Sequence, residues 1–258
     1  MSKELWVYNG LQLSSRGKWD VEEVLEGIGV PKHRGSDIQI PFHNGNRWIK
    51  KRFDTRKMVL SMWIKGENKE DLDENIDSFL QAIGKSGLHT LRRVMRNGEI
   101  REAQAELLGG VNFAIRSPGY SKFALEFELA DPFFYGLNPL TESISLTSSS
   151  QTETINNTGT APTTKAIITM NGPMDSPKIT NLENGIWLQY QGSINSGESV
   201  IVNTNDYTCT KEGENYIAAL AHGGDPRWLI LEAGYNQLEI EAGATGGTAS
   251  IEFYPAYF

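Results

Sequence analysis

Cysteine is almost missing from this 258-residue chain, and the lone Cys209 permits neither an intramolecular disulfide framework nor a thiolate metal site. A reducing cytosol is therefore the expected place of synthesis. Histidine is nearly as scarce. His33, His43, His89 and His222 never fall within three to five residues of one another, so no zinc-ligand spacing exists. No apolar run approaches the ~18 residues of a membrane span, and Met1-Ser2-Lys3-Glu4-Leu5-Trp6 lacks the apolar stretch of a signal peptide. A Gly-x-Ser-x-Gly elbow, a P-loop and a dinucleotide fingerprint are all absent, and glycine falls mostly where β-turns need it. No enzyme, cofactor or metal is expected. Basic residues are few beyond position 135: residues 136–258 hold 4 Lys and Arg against 13 Asp and Glu, whereas residues 1–135 hold 20 against 19. An acidic surface repels phosphate, which makes the second half a poor nucleic-acid or anionic-membrane binder.

What is present describes a folded chain. With 39% hydrophobic, 10% aromatic and 22% charged residues it lies outside the compositional range of disorder, and its length favours two domains. Leu5–Leu13 reads as two short strands around Asn9-Gly10, a pair that tolerates the positive φ of a tight hairpin. Residues 36–64 carry alternating apolar positions around Asn44-Gly45 and read as a long hairpin. Between Asn68 and Ile83 the period changes. Leu72, Ile76, Phe79, Leu80 and Ile83 share one helical face, Asn68 can cap, acidic residues fill the first turn, and Gly84 with Lys85 closes the helix. Strands follow at 89–96, 99–108 and 121–129, the last alternating Phe123, Leu125, Phe127 and Leu129 with polar residues.

After Asp131-Pro132 the composition turns to Thr, Ser, Asn and Gly, placing a domain boundary near 136–141. Short strands separated by turn signals are expected at 165–170, 178–182, 186–190, 199–203, 227–231, 236–241 and 249–254. The expected fold is mostly β. An N-terminal α+β domain over 1–138, an antiparallel β-sandwich with one amphipathic helix, precedes a C-terminal sandwich or jelly roll over 139–258.

Four groups of residues invite a functional reading. Arg47, Lys50, Lys51, Arg52, Arg56 and Lys57, interleaved with Trp48 and Phe53, suit either a subunit contact or solvated face, or nucleic acid. Of these, Arg47, Trp48, Lys50, Lys51, Arg52 and Phe53 are the subunit-interface candidates. Trp187, Tyr190, Tyr207, Tyr216, Trp228 and Tyr235 are aromatics of the kind that stack on sugar rings, with Trp187 and Trp228 the candidates, although both also suit a core. His222-Gly223-Gly224-Asp225 reads as turn chemistry or an acid–base pair. Glu22-Glu23 and Glu126/Glu128 are carboxylate pairs that read as solvated strand faces unless each shares a cleft.

The order of elements resembles the siphophage distal tail proteins, the Dit family, over nearly the whole chain. The resemblance rests on Ile38-Gln39-Ile40-Pro41 before a glycine turn, on Leu60-Ser61-Met62-Trp63-Ile64-Lys65-Gly66 before the helix, and above all on Asp131-Pro132-Phe133-Phe134-Tyr135. In the second half it rests on Ile155-Asn156-Asn157-Thr158-Gly159-Thr160-Ala161-Pro162-Thr163, on Pro177-Lys178-Ile179-Thr180-Asn181, and on Leu231-Glu232-Ala233-Gly234-Tyr235-Asn236. It implies a virion protein made in the bacterial cytoplasm. Its first domain would form a hexameric ring around a DNA channel, and a galectin-like second domain would carry host-adhesion proteins. The implied partners are further copies of the chain, the tail tube protein, the baseplate hub or tail fibre protein, and receptor-binding proteins. Membrane insertion and sequence-specific nucleic-acid binding are not expected. The alternative is a protein that recognises cell-wall glycans through its C-terminal sandwich.

Overall fold

The computed structural model describes residues 4–15, 17–224 and 228–258, with residues 115 and 116 described by backbone alone. The chain separates into two compact units, Met1–Phe134 together with Phe258, and Tyr135–Tyr257. The fold is mostly β, in antiparallel sheets with a single α-helix among the described residues.

In the first unit a sheet runs in the order Leu11–Gln12, Leu5–Tyr8, Leu88–Val94, Ile100–Leu107, Tyr120–Leu129, Arg56–Lys65 and Trp19–Glu26. The opening hairpin pairs Val7 with Gln12 and Tyr8 with Leu11, and Asn9 and Gly10 take φ values of 48° and 80°. A two-residue turn of that hand matches the twist of the flanking strands. Strand Arg56–Lys65 is the spine, pairing along its full length with Tyr120–Leu129 and on its other side with Trp19–Glu26. Its inward residues Met58, Leu60, Met62 and Ile64 are fully buried beside Phe127, Leu125 and Phe123. Each such side chain gains roughly 1.5–3 kcal/mol from leaving water.

The helix Lys69–Ile83 covers this face. Asn68 caps it by accepting from the Asp71 amide at 2.9 Å. Its buried face is Leu72, Asn75, Phe79 and Ile83. The expected face thus needs correcting, for Leu80 is exposed and Asn75 is buried, its Nδ2 donating to the Lys65 carbonyl at 3.0 Å. Spacings of three and four residues turn the stripe away from Leu80, and the hydrogen bond makes a buried amide tolerable. Phe79 meets Trp19 and Phe123 edge-on, at ring-centroid distances of 5.3 and 5.1 Å.

The second unit is a sandwich of two antiparallel sheets. One runs Leu140–Ser145, Thr248–Phe253, Ala166–Asn171, Ser199–Asn203, Thr208–Lys211 and Glu214–Asn215. The other runs Ser150–Asn157, Gly234–Glu241, Lys178–Asn181, Ile186–Tyr190 and Leu220–Gly223. Alternate residues such as Ile168, Val202, Ile179, Leu188, Ile240 and Ile251 fill one apolar core. Two strand expectations fail here. Leu140–Ser145 and Ser150–Asn157 lie in the Ser/Thr-rich stretch whose polarity hid them, because their outward faces are polar and they join their sheets at the edges. Of residues 227–231, Arg227 lies outside the described residues, and the rest form no strand beyond a single bridge from Leu231 to Thr163.

The strings behind the family resemblance hold turns in place. Asn157, itself buried, donates from Nδ2 to the carbonyls of Ala161 and Leu231, and a Cβ on Gly159 would stand 2.0 Å from the Ala256 carbonyl oxygen. Asn181 donates to the Ile230 carbonyl and to Asn236 Oδ1, while Asn236 Nδ2 donates to the Glu232 and Gly234 carbonyls. Buried amides satisfied in this way fix loops to the core.

Candidate functional site

Residues 36–64 do not form one hairpin. Arg56–Lys65 is claimed by the central sheet, where its apolar side chains are buried, and the hairpin is instead an arm running from 33 to 53. At its root His33 pairs with Phe53 and Arg34 with Arg52; nearer the tip Ile38 pairs with Arg47 and Gln39 with Asn46. Neither short ladder joins the larger sheets. Asp37 braces the shaft, accepting from the Ile49 amide at 3.3 Å and from Lys51 Nζ at 3.4 Å. The turn is Pro41-Phe42-His43-Asn44-Gly45, with His43 N donating to the Ile40 carbonyl at 3.2 Å.

An aromatic cluster ties the root down. Phe53 stacks on His33 at 4.7 Å and meets Phe133 and Phe258 at 5.3 and 5.5 Å. Phe133 and Phe134 belong to the Asp131-Pro132-Phe133-Phe134-Tyr135 string, and both are buried. Beyond the root the arm is solvated. Ile38, Ile40 and Ile49 are exposed, Trp48 is 69% exposed, and Phe42 at the tip is 109% exposed with φ +62°. Left-handed backbone at a bulky non-glycine residue costs about 1–3 kcal/mol. So much uncovered apolar surface on a free ribbon is characteristic of a surface that another molecule covers.

The six interface candidates divide accordingly. Arg47, Trp48, Lys50 and Arg52 are exposed on the shaft; Lys51 leans on Asp37; Phe53 is half-buried in its own chain's cluster. Over residues 33–53 five Arg and Lys face a single acid, Asp37. Arg56 and Lys57 leave this group for the sheet. Only the structure reveals Phe42, Ile28 and Val30 as exposed, since their hydrophobicity by itself suggests burial.

At the base of the arm the loop 27–32 bounds a cavity of about 400 Å³, walled by Ile28, Val30, Pro31 and Leu108 among others, with Arg56 at its floor. Arg56 is 4% exposed; it donates to the Gly27 and Gly29 carbonyls at 3.4 and 3.1 Å and lies over the Phe134 ring. Its Nε is buried without a partner. Burial pulls its pKa down to about 10, with the charge of Arg93 adding to the effect and Asp131 opposing it. It therefore stays cationic at neutral pH.

In the second unit Trp187 and Trp228 are not brought together. Leu188 and His222 pair and face inward, so Trp187, one residue along, points outward from the sheet. Its indole covers Gly223 and carries Lys178 Nζ 5.7 Å from the ring centre. Trp228 packs on the core beside His222 and Tyr207. Asp225, the other half of the supposed acid–base pair, lies outside the described residues. Glu22 is tied to Lys122 at 2.5 Å and Glu126 to Lys57 at 2.7 Å, as in a charged strand surface. Among the described residues no three His, Cys, Asp or Glu side chains are grouped to hold a metal ion, and no helix is long and apolar enough to cross a membrane.

Comparison with known proteins agrees with the sequence resemblance. Residues 158–257 match the family described as Siphovirus-type tail component, C-terminal domain. No curated protein matches the chain. Among solved structures, the Dit protein (gp 19.1) of phage SPP1, described as a paradigm of the hub adsorption apparatus in phages infecting Gram-positive bacteria, shares the fold. It has 16% identity and a TM-score of 0.69 over 98% of this chain and 99% of that one. A chain of the phage p2 baseplate in its activated conformation with Sr aligns at 10% identity and a TM-score of 0.45, covering 98% of each chain.

Proposed function

We propose, from the family match at residues 158–257 and the shared fold, that this chain is one of the siphophage distal tail proteins and a structural part of the phage tail tip. In this reading six copies close into a ring through their first units and leave a channel for DNA. The ring joins the tail tube above to the baseplate hub or tail fibre below. The second unit, as a galectin-like sandwich, carries host-adhesion proteins, and the protein resides in the virion after synthesis in the host cytoplasm.

The arm carries the reading. A 33–53 ribbon with Phe42, Trp48, Ile38 and Ile40 in solvent has little to contribute to its own unit's core, whereas between copies it buries apolar surface. An arm reaching from one copy to a different patch on the next is a heterologous contact, the kind that closes rings. Glycan recognition, the alternative, would lose one of its two tryptophans, since Trp228 packs on the core.

Light scattering over a concentration series, with imaging of the largest species, tests the proposal. Rings of six copies are the expected result. A chain that stays monomeric at ~100 μM, well above the ~1 μM scale of modest association, and also fails to bind tail tube protein would overturn it.

A further inference from the structure

Resting on the reading that copies of this chain assemble, we propose that Phe42 at the arm tip of one copy enters the cavity at the arm root of the next. Three observations bring these two features together. Phe42 is fully exposed on left-handed backbone, an aromatic side chain held out in water by a strained turn. Ile28, Val30, Pro31 and Leu108 line the cavity of about 400 Å³ together with charged residues, and Ile28 at 56% and Val30 at 64% are exposed. That volume is near the small end of the ~300–1,000 Å³ of sites that enclose a ligand, suited to one aromatic side chain and its neighbours.

Reach excludes the chain's own cavity. Val30 and Pro31 stand at the root and Phe42 at the tip, separated by the shaft; about nine extended residues at ~3.3 Å each place the tip roughly 30 Å away. A folded unit of this size is itself roughly 30–40 Å across, given a radius of gyration near 14 Å. The tip of one copy therefore spans a neighbour, and the same tip-to-root step repeated from copy to copy closes a ring when its rotation divides the circle.

Charge is arranged to agree. The tip 40–45 bears no formal charge with His43 neutral, so it adds no further cation to a cavity in which Lys32, Arg56 and Lys57 face Glu26 and Glu128. The shaft behind the tip is basic through Arg34, Arg47, Lys50 and Arg52. The strands leading away from the cavity carry Glu22, Glu23, Glu26, Glu126 and Glu128, with Lys57 and Lys122 among them. An uncharged tip in this hole and a basic shaft along an acidic strand surface fix the direction of docking.

Cross-linking through new cysteines tests the pairing. Cys209 is fully buried and burial pushes its thiol up to about 11, so it stays silent in the folded chain. With a short bis-maleimide, the double variant His43→Cys/Val30→Cys, which keeps Phe42, should give a ladder of covalent multimers. An equimolar mixture of the two single variants should stop at dimers, and each single variant alone should stay uncross-linked. In parallel, Phe42→Ala should weaken self-association by about ten-fold or more, as for the anchor residue of an interface. Wild-type multimers by light scattering, with neither a ladder nor weakening, would overturn the tip-to-root pairing while leaving assembly intact. A wild-type chain that is monomeric throughout would overturn the pairing, and one that also fails to bind tail tube protein would overturn the assembly reading with it.

Discussion

Glu198 accepts from Lys211 Nζ at 2.8 Å and from the Asn195 amide at 2.8 Å. The lysine, followed by the amide, holds its carboxyl at about 2, well below the ordinary 4.5. A carboxyl depressed in the folded state stabilises the fold fully above its unfolded pKa, and that contribution disappears as pH falls through the folded value. Chemical denaturation of wild type and Glu198→Gln should therefore differ by a constant margin from pH 7 down to about 4.5. The margin should shrink below that and be gone by about pH 2; a margin independent of pH would show that the ion pair plays no part. Residue-scale features of this sort were partly legible. The Asn68 cap and the Asn9-Gly10 turn follow from local chemistry that needs no partner far away in the chain. Burial of Asn75 and Arg56 did not, since each depends on carbonyls contributed by a distant segment: Lys65 for one, Gly27 and Gly29 for the other.

Among the elements, the arm is held to its unit by His33 and Phe53 and by little of what lies beyond them. Replacing residues 35–50 with a short Gly-containing turn should then shift the thermal midpoint by no more than about 2–4 °C, the equivalent of ~1 kcal/mol or less. The same deletion should abolish self-association in sedimentation. A midpoint lowered by more than 10 °C would mean that the arm stabilises its own unit, and retained multimers would mean that it is not the assembly element. The sequence pointed to a hairpin here but to the wrong one. Met58, Leu60 and Met62 alternate as a hairpin strand does, yet alternation shows only that one face is buried, not which strand lies alongside.

At the scale of the molecule, the division between Phe134 and Tyr135 sits ahead of the compositional change that suggested 136–141, and Phe258 returns to the first unit through Phe53 and Phe133. The apolar cluster that includes Ile144, Ile168, Leu188, Ile240 and Phe253 draws on the second unit alone. Residues 135–257 expressed by themselves should accordingly fold, giving one cooperative urea transition and dispersed amide resonances. A spectrum collapsed into the narrow range of an unfolded chain would show that this core is insufficient.

By itself the sequence determined the β-rich character, the helix after Gly66, the tight opening turn and the acidic second half. Each is written in periods of 2.0 or 3.6 residues, in turn chemistry or in charge, all of which act over a few neighbouring positions. Tertiary structure alone decided that residues 33–53 stand free while 56–65 becomes the spine, that a cavity opens at the root of the arm, and that Trp187 lies outside its sheet while Trp228 packs on the core. Those outcomes depend on which strands meet across long stretches of chain, and an apolar side chain looks the same in sequence whether its partner is its own core or another molecule.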